Sequence, residues 1–172
     1  MTEHVILVDA DDQEIGTLEK LETHRRGELH RAFSIFLFNA SGETLIQKRA
    51  AGKYHTPGVW TNACDGHPRP GETIVAAAER RLQEELGISC PLREVFCFTY
   101  HAELDRDLLE HEYDHVLVGR FEGAPVPNAA EYDDWQWIDR ETLAERIRAH
   151  PNAYAPWFTI PLERAWDCRE QT

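Results

Sequence analysis

The residues of this 172-residue chain that could do chemistry collect in a few places. Between Gly66 and Ile88 it reads GHPRPGETIVAAAERRLQEELGI, with a glycine near each end and Glu72, Glu84 and Glu85 close to them. A loop–helix–loop of that kind can aim several carboxylates at one divalent cation. Farther on, Glu110 and Glu112 stand two residues apart, so a strand there turns both carboxylates to one side. Lysines are scarce: Lys20, Lys48 and Lys53 are the only three, all in the first third, which makes their positions informative. Cys64, Cys90, Cys97 and Cys168 show no C-x-x-C spacing, so neither a zinc knuckle nor a disulfide framework is expected.

The elements that must position these groups read as a mixed α+β domain. Val5–Val8 is a short predicted strand. His30–Asn39 is rich in aromatic and β-branched residues, and a turn at Ala40-Ser41-Gly42 leads into Thr44–Lys48, which predicts a hairpin. Residues 50–71 form a long loop rich in glycine and proline, a kind of segment that is usually functional in a compact domain. A helix is expected from Glu72 to Leu86, with Ile74, Ala78, Leu82 and Leu86 on one face and Gly87 as its stop. Further strands are expected near Glu94–His101, His115–Phe121 and Asp134–Ile138. Asp139 can cap a helix over Glu141–Ala149, and Pro151, Pro156 and Pro161 punctuate a helical tail.

Composition narrows the function classes. Apolar residues at 42% and charged residues at 28% fit an ordinary globular protein. A net charge of −13 argues against nucleic acid or an anionic membrane as partner. No run of 18 apolar residues and no signal-peptide pattern is present, so a cytoplasmic protein is expected. A phosphate substrate would then need a local basic cluster inside a repulsive overall field.

The segment 66–88 matches the Nudix pattern G-x5-E-x7-R-E-U-x-E-E-x-G-U at eight of nine specified positions, with Arg81 at the ninth in place of glutamate. In that family the motif aims its carboxylates at a cation bridging diphosphate oxygens. A guanidinium at position 81 offers a planar fork that holds a diphosphate without cutting it. The stretches GTLEK (Gly16–Lys20), PGVWTN (Pro57–Asn62), GHPRPGE (Gly66–Glu72), EHE (Glu110–Glu112), WQW (Trp135–Trp137) and APW (Ala155–Trp157) resemble, in order and spacing, the type I isopentenyl-diphosphate isomerases. The resemblance spans nearly the whole chain and implies a single Nudix-type domain over residues 1–172.

What the resemblance implies is specific. His24, His30, His67, Glu110 and Glu112 fall on that family's metal ligands, a mixed N/O set suited to Mn²⁺, Fe²⁺ or Zn²⁺. A second ion, Mg²⁺, is implied at Glu85 through the diphosphate. Lys20, Arg49, Lys53 and Arg81 fall on the diphosphate-binding positions and answer the charge problem. Glu112 with Tyr100 matches the acid side of an alkene protonation, and Trp157 the indole that faces the resulting cation. The remaining histidines, His4, His55, His101, His111, His115 and His150, have no such match. One position departs: the family's second acid/base residue, a cysteine two before the loop histidine, is Asp65 here, with Cys64 one residue earlier. Three expectations follow. The chain interconverts isopentenyl and dimethylallyl diphosphate with Asp65 as base; or it resolves a prenyl cation differently, by cyclisation or hydration; or it is a non-isomerising diphosphate-binding paralogue or Nudix hydrolase.

Overall fold

A computed structural model describes residues 3–53, 55–104 and 107–171. Its centre is β3 (His30–Phe38), which runs parallel to β8 (Leu109–Arg120) along its whole length, from His30↔Glu112 to Phe38↔Arg120. The other edge of β3 is shared in turn by three shorter partners. β1 (His4–Val8) meets it at His30, β6 (Cys64–Gly66) at Phe33–Ile35, and β4 (Thr44–Arg49) at Phe38. β7 (Leu92–Glu103) is antiparallel to β8, β2 (Glu14–Glu19) to β1, and β5 (Trp60–Thr61) and β9 (Tyr132–Ile138) both flank β4.

The expected hairpin is present only at its turn. Asn39 N–H donates to Glu43 O at 3.0 Å, but β3 and β4 are paired only at Phe38↔Thr44. Beyond it the strands part to serve β8 on one side and β9 on the other. The chain thereby curls the sheet rather than extending a ladder.

Alternation along β3 sorts the core. Phe33, Ile35 and Leu37 pack with Ala78, Leu82 and Leu86 of α2 (Ile74–Leu86). Phe36 and Phe38 pack with Val116, Val118 and the tail residues Trp157, Phe158 and Trp166. The tail is helical, as α4 (Pro156–Thr159) and α5 (Leu162–Asp167), and α3 (Arg140–Ala149) is capped by Asp139 accepting from Thr142 N at 2.9 Å. α2 begins two residues later than its sequence pattern suggested, because Thr73 takes the cap, accepting from Ala76 N at 3.3 Å. It ends at Gly87, whose φ of 65° is the left-handed cap conformation.

Four elements had no sequence forecast: β2, the pair β5 and β6 inside the long loop, and α1 (Lys20–Arg26). β8 also begins at Leu109, earlier than the strand expected from His115, so that Glu110 and Glu112 do lie on a strand. Among the described residues no helix is long and apolar enough to cross a membrane.

Candidate active site

Strand register builds the first half of the site. His30 lies beside Glu112 across β3–β8, and Tyr100 lies beside Glu112 across β7–β8. Three adjacent strands therefore set His30, Glu112 and Tyr100 in one row on one face. β6 pairs Gly66 with Phe33, which delivers His67 to the same place. The approach is close: a β-carbon on Gly66 would sit 3.1 Å from Phe33 Cζ. His24 comes from α1, a short helix capped by the Glu19 carboxylate through Leu21 N and Glu22 N.

The donor atoms of His24, His30, His67 and Glu112 lie within 4.8 Å of one another. His67 Nε2 is 2.9 Å from Glu112 Oε1, His30 Nε2 is 3.5 Å from the same oxygen, and the two Nε2 atoms are 3.2 Å apart. Glu110 Oε2 adjoins the group at 3.3 Å from His24 Nε2. His24 Nδ1 is 2.6 Å from Lys20 O and His30 Nδ1 is 2.8 Å from Glu28 O. A carbonyl can only accept, so both Nδ1 atoms carry a proton and the Nε2 atoms are the ones left to turn lone pairs to a bound cation. Two lone pairs converging with carboxylate oxygens in a buried space is the arrangement a divalent cation fits.

Burial dominates the ionisation of this cluster. It pushes His67 down to about 3 and His24 below its ordinary range, so both imidazoles are neutral. It opposes charge on Glu112 too, yet its contacts with His30 and His67 outweigh it and hold that carboxyl well below its usual range. Glu110 moves the other way, raised first by burial and then by the charge of Glu112. Of the two carboxyls, Glu110 thus favours the proton and Glu112 the charge. Tyr100 OH donates to Glu112 Oε2 at 2.6 Å, and burial and that neighbouring charge keep the phenol protonated.

The cluster opens into a cavity lined also by Lys20, Arg49, Lys53, Arg81, Asp65, Glu85 and Trp157. Each of the four cations already has a carboxylate partner. Lys20 Nζ is 3.3 Å from Glu3, Arg49 is 3.9 Å from Asp65, Lys53 pairs with Glu131, and Arg81 pairs with Glu85 and lies 3.7 Å from Glu131. Glu85 also accepts from Tyr132 OH; burial raises it to about 7 against the pull of Arg81. Away from the cavity, Arg80 grips Glu72 with two bonds of 2.8 Å and fixes the loop before α2 to the helix.

Asp65 and Cys64 face opposite ways. Asp65 is registered with Ser34 and Cys64 with Ile35, so strand alternation turns the carboxylate to the cavity and the thiol into the α2 core. Asp65 Oδ2 accepts from the Trp157 indole N–H at 3.2 Å, and that N–H also reaches Thr61 Oγ1 at 2.9 Å. The Trp157 ring is core packing and cavity wall at once: it is buried, and the Arg49 guanidinium carbon lies 5.4 Å from its centroid.

The structure thus brings every sequence-selected residue to one cavity or its wall, with His24, His30 and Tyr100 standing behind the lining. Sequence reading set His55 aside, yet it lines the same cavity, its ring 6.0 Å from that of His24 and 6.1 Å from that of Trp157. Burial drives it to about 2, so it is a neutral wall. Glu3, Glu131 and Tyr132 were missed as well, since no spacing links them to the motif.

Fold and cavity together define a class. The NUDIX domain model matches residues 28–158, and the chain belongs to the NUDIX family. The chain is 50% identical over 165 residues to an isopentenyl-diphosphate Delta-isomerase of Burkholderia multivorans, covering 96% of this chain and 94% of that protein. It is 48% identical over 171 residues to isopentenyl-diphosphate Delta-isomerase 1 of Aromatoleum aromaticum, covering 99% and 97%. Within the NUDIX proteins, it is a member of the isopentenyl-diphosphate Delta-isomerase family. Among solved structures it resembles DR0079 of Deinococcus radiodurans, with a TM-score of 0.71 at 22% identity over 86% of this chain and 90% of that one. The MutT protein of Methanosarcina mazei Go1 gives 0.61 at 15% identity over 83% and 94%. These two likenesses concern the fold alone.

Proposed function

We propose that this enzyme interconverts isopentenyl and dimethylallyl diphosphate, with Glu112 and Asp65 as the two acid/base groups. The observation that carries this reading is that both carboxylates face one cavity whose remaining wall holds four cations and an indole. In this reading one transition-type divalent ion, Mn²⁺, Zn²⁺ or Fe²⁺, is held by His24, His30, His67, Glu110 and Glu112, and one Mg²⁺ by Glu85 and the diphosphate. Bound there, the ions supply fixed positive charge that orients Glu112 and neutralises the diphosphate.

The residues do the rest. Lys20, Arg49, Lys53 and Arg81 exchange their carboxylate partners for diphosphate oxygens, which a repulsive net charge of −13 makes a local rather than a global attraction. Glu112, steadied by the Tyr100 hydroxyl, takes up the proton that Glu110 favours and delivers it to the terminal alkene carbon. The positive charge then rests on the tertiary carbon, facing the Trp157 indole, where a desolvated cation–π contact contributes about 2 kcal/mol. Asp65 removes the proton from C2 and completes the shift. A carboxylate is an adequate base toward a carbocation, so the missing thiol does not forbid the reaction.

The test is incubation of isopentenyl diphosphate with the metal-loaded protein in D₂O, followed by NMR of both products and phosphate. Deuterium at C2 and C4 with no phosphate release is the expected result. Phosphate release would point instead to Nudix hydrolysis, and a cyclic or hydrated product to a different fate of the same cation.

A further inference from the structure

His115 belongs to the same strand as Glu112 but, three residues on, faces the other side of it. There it meets groups that the proposed reaction does not use. His115 Nδ1 is 2.8 Å from Glu94 Oε1 and 3.2 Å from Cys97 Sγ, and Cys97 Sγ is 3.3 Å from Glu94 Oε1. Cys97 is the direct cross-strand neighbour of His115. Glu94 ought to point away, since three residues along a strand reverse the side chain. A bulge corrects this: Glu94 is registered with Leu117 and Phe96 with Val116, so Val95 is an extra residue and Glu94 swings to the face of Cys97.

Behind the imidazole, His115 Nε2 is 3.1 Å from Asp12 Oδ2. Asp12 is itself held: Arg31 Nε donates to its Oδ1 at 2.7 Å and Arg31 Nη2 to its backbone carbonyl at 2.6 Å. Both ring nitrogens face carboxylates, Glu94 at 2.8 Å and Asp12 at 3.1 Å, so a cation that takes the place of the Nδ1 proton leaves Nε2–H donating to Asp12 and the Nδ1 lone pair turned to the ion. Carboxylate, histidine and an outward lone pair in line is how proteins orient a histidine that binds metal.

We propose that Cys97 Sγ, His115 Nδ1 and Glu94 Oε1 form a separate metal site, for a zinc-type divalent ion, on the face of β8 opposite Glu112. Water completes a tetrahedral shell, and binding releases the Cys97 proton to solvent. Zinc at its usual distances from sulfur, nitrogen and oxygen separates tetrahedral ligand atoms by about 3.3–3.7 Å. The three atoms therefore need to part by only a few tenths of an ångström. The rival reading is a nucleophilic thiol activated by its histidine. Burial and then Glu94 push the Cys97 thiol up to about 12, the reverse of what a nucleophile needs. The same negative surroundings suit a cation. An ion here would tie the bulged β7 to β8 and, through Asp12, to the β1–β2 turn.

Cobalt separates the two sites, because a thiolate ligand gives a near-ultraviolet charge-transfer absorption and the cluster of His24, His30, His67 and Glu112 contains no thiolate. Metal-free full-length protein titrated with Co²⁺ should show that absorption saturating with one equivalent. Cys97→Ser should abolish it and lose one bound equivalent while keeping isopentenyl diphosphate turnover. Asp12→Asn should keep the absorption and weaken that equivalent about tenfold or more. Glu94→Ala changes an exposed side chain and offers a variant little prone to misfolding; it too should weaken that equivalent by at least about tenfold. No charge-transfer absorption in folded parent at saturating cobalt, its survival in Cys97→Ser, or unchanged affinity in Glu94→Ala would each overturn the site.

Discussion

The two walls of the cavity each present a carboxylate, and they are built in opposite ways. Glu112 is locked by two short contacts, His67 at 2.9 Å and Tyr100 at 2.6 Å, with His30 at 3.5 Å beside them. Asp65 has longer ones, to Trp157 at 3.2 Å, Thr61 at 3.5 Å and Arg49 at 3.9 Å. The Glu112 side chain is 9% exposed and that of Asp65 24%. Glu112 sits in the middle of a long strand ladder, whereas Asp65 sits in a three-residue strand whose ladder partner among the described residues is β3. The difference teaches where a site can change residue type. A group held by short bonds within a long ladder admits no substitute, while a group held at longer range on a short, more exposed strand can be exchanged and leave the remainder intact.

The largest expected effect comes from breaking the locked wall. Glu112→Gln keeps the shape but removes the charge that His30 and His67 face and the carboxyl that delivers the proton. Turnover should fall by about 10³–10⁴-fold, the upper range for a positioned acid. Bound transition metal, measured by elemental analysis, should fall with it. Full metal content with full turnover would show that the proton enters from elsewhere.

Asp65→Asn attacks the open wall. Deuterium exchange at C2 should fall by about 10²-fold while metal content stays at the parent value, since Asp65 is outside the His24, His30, His67 and Glu112 group, and diphosphate affinity should not fall, since Arg49 loses a competing carboxylate. Asp65→Cys should keep measurable exchange, because the position rather than the carboxylate faces the cavity. The claim for Asp65 is falsified if the asparagine variant exchanges at the parent rate.

How far these walls could be read from sequence follows from how each is made. α2 and the Glu110–Glu112 spacing were legible, because a helix face and a strand alternation are local periodicities. β5 and β6 were not, since two and three residues carry no period and owe their existence to β4 and β3. α1 was missed for a related reason. Its sequence KLETHRR is polar, seven residues long and capped by a glutamate, so it shows neither an apolar stripe nor a usual cap residue. The metal-cluster histidines could be matched through motif resemblance, but His55, Glu131 and the cluster at His115 depend on strand register, a bulge and loop packing that leave no spacing in the chain. Cys97 was set aside for lacking a C-x-x-C partner, and the partners it does have lie across β7 and β8.

The smallest expected effect sharpens the comparison from the other direction. Cys64 is one residue from Asp65, and a chain built on a thiol base might be thought to use it instead. The ladder between β6 and β3 argues otherwise: Cys64 is registered with Ile35, and both side chains lie in the core against Leu82 and Leu86. Cys64 is fully buried, and burial, reinforced by Glu85 and Asp65, holds its thiol well above the ordinary range. For it to reach the substrate, β6 would have to slip by one residue, which would turn Asp65 into the apolar core and carry Gly66 away from its close contact with Phe33. Cys64→Ala should therefore leave turnover and deuterium exchange at parent values. It should lower stability by about 1 kcal/mol, the cost of a small cavity where the sulfur was, read as a shift in the urea midpoint at constant slope. A hundredfold loss of exchange with unchanged stability would place the thiol in the cavity and reverse the assignment of the two faces of β6.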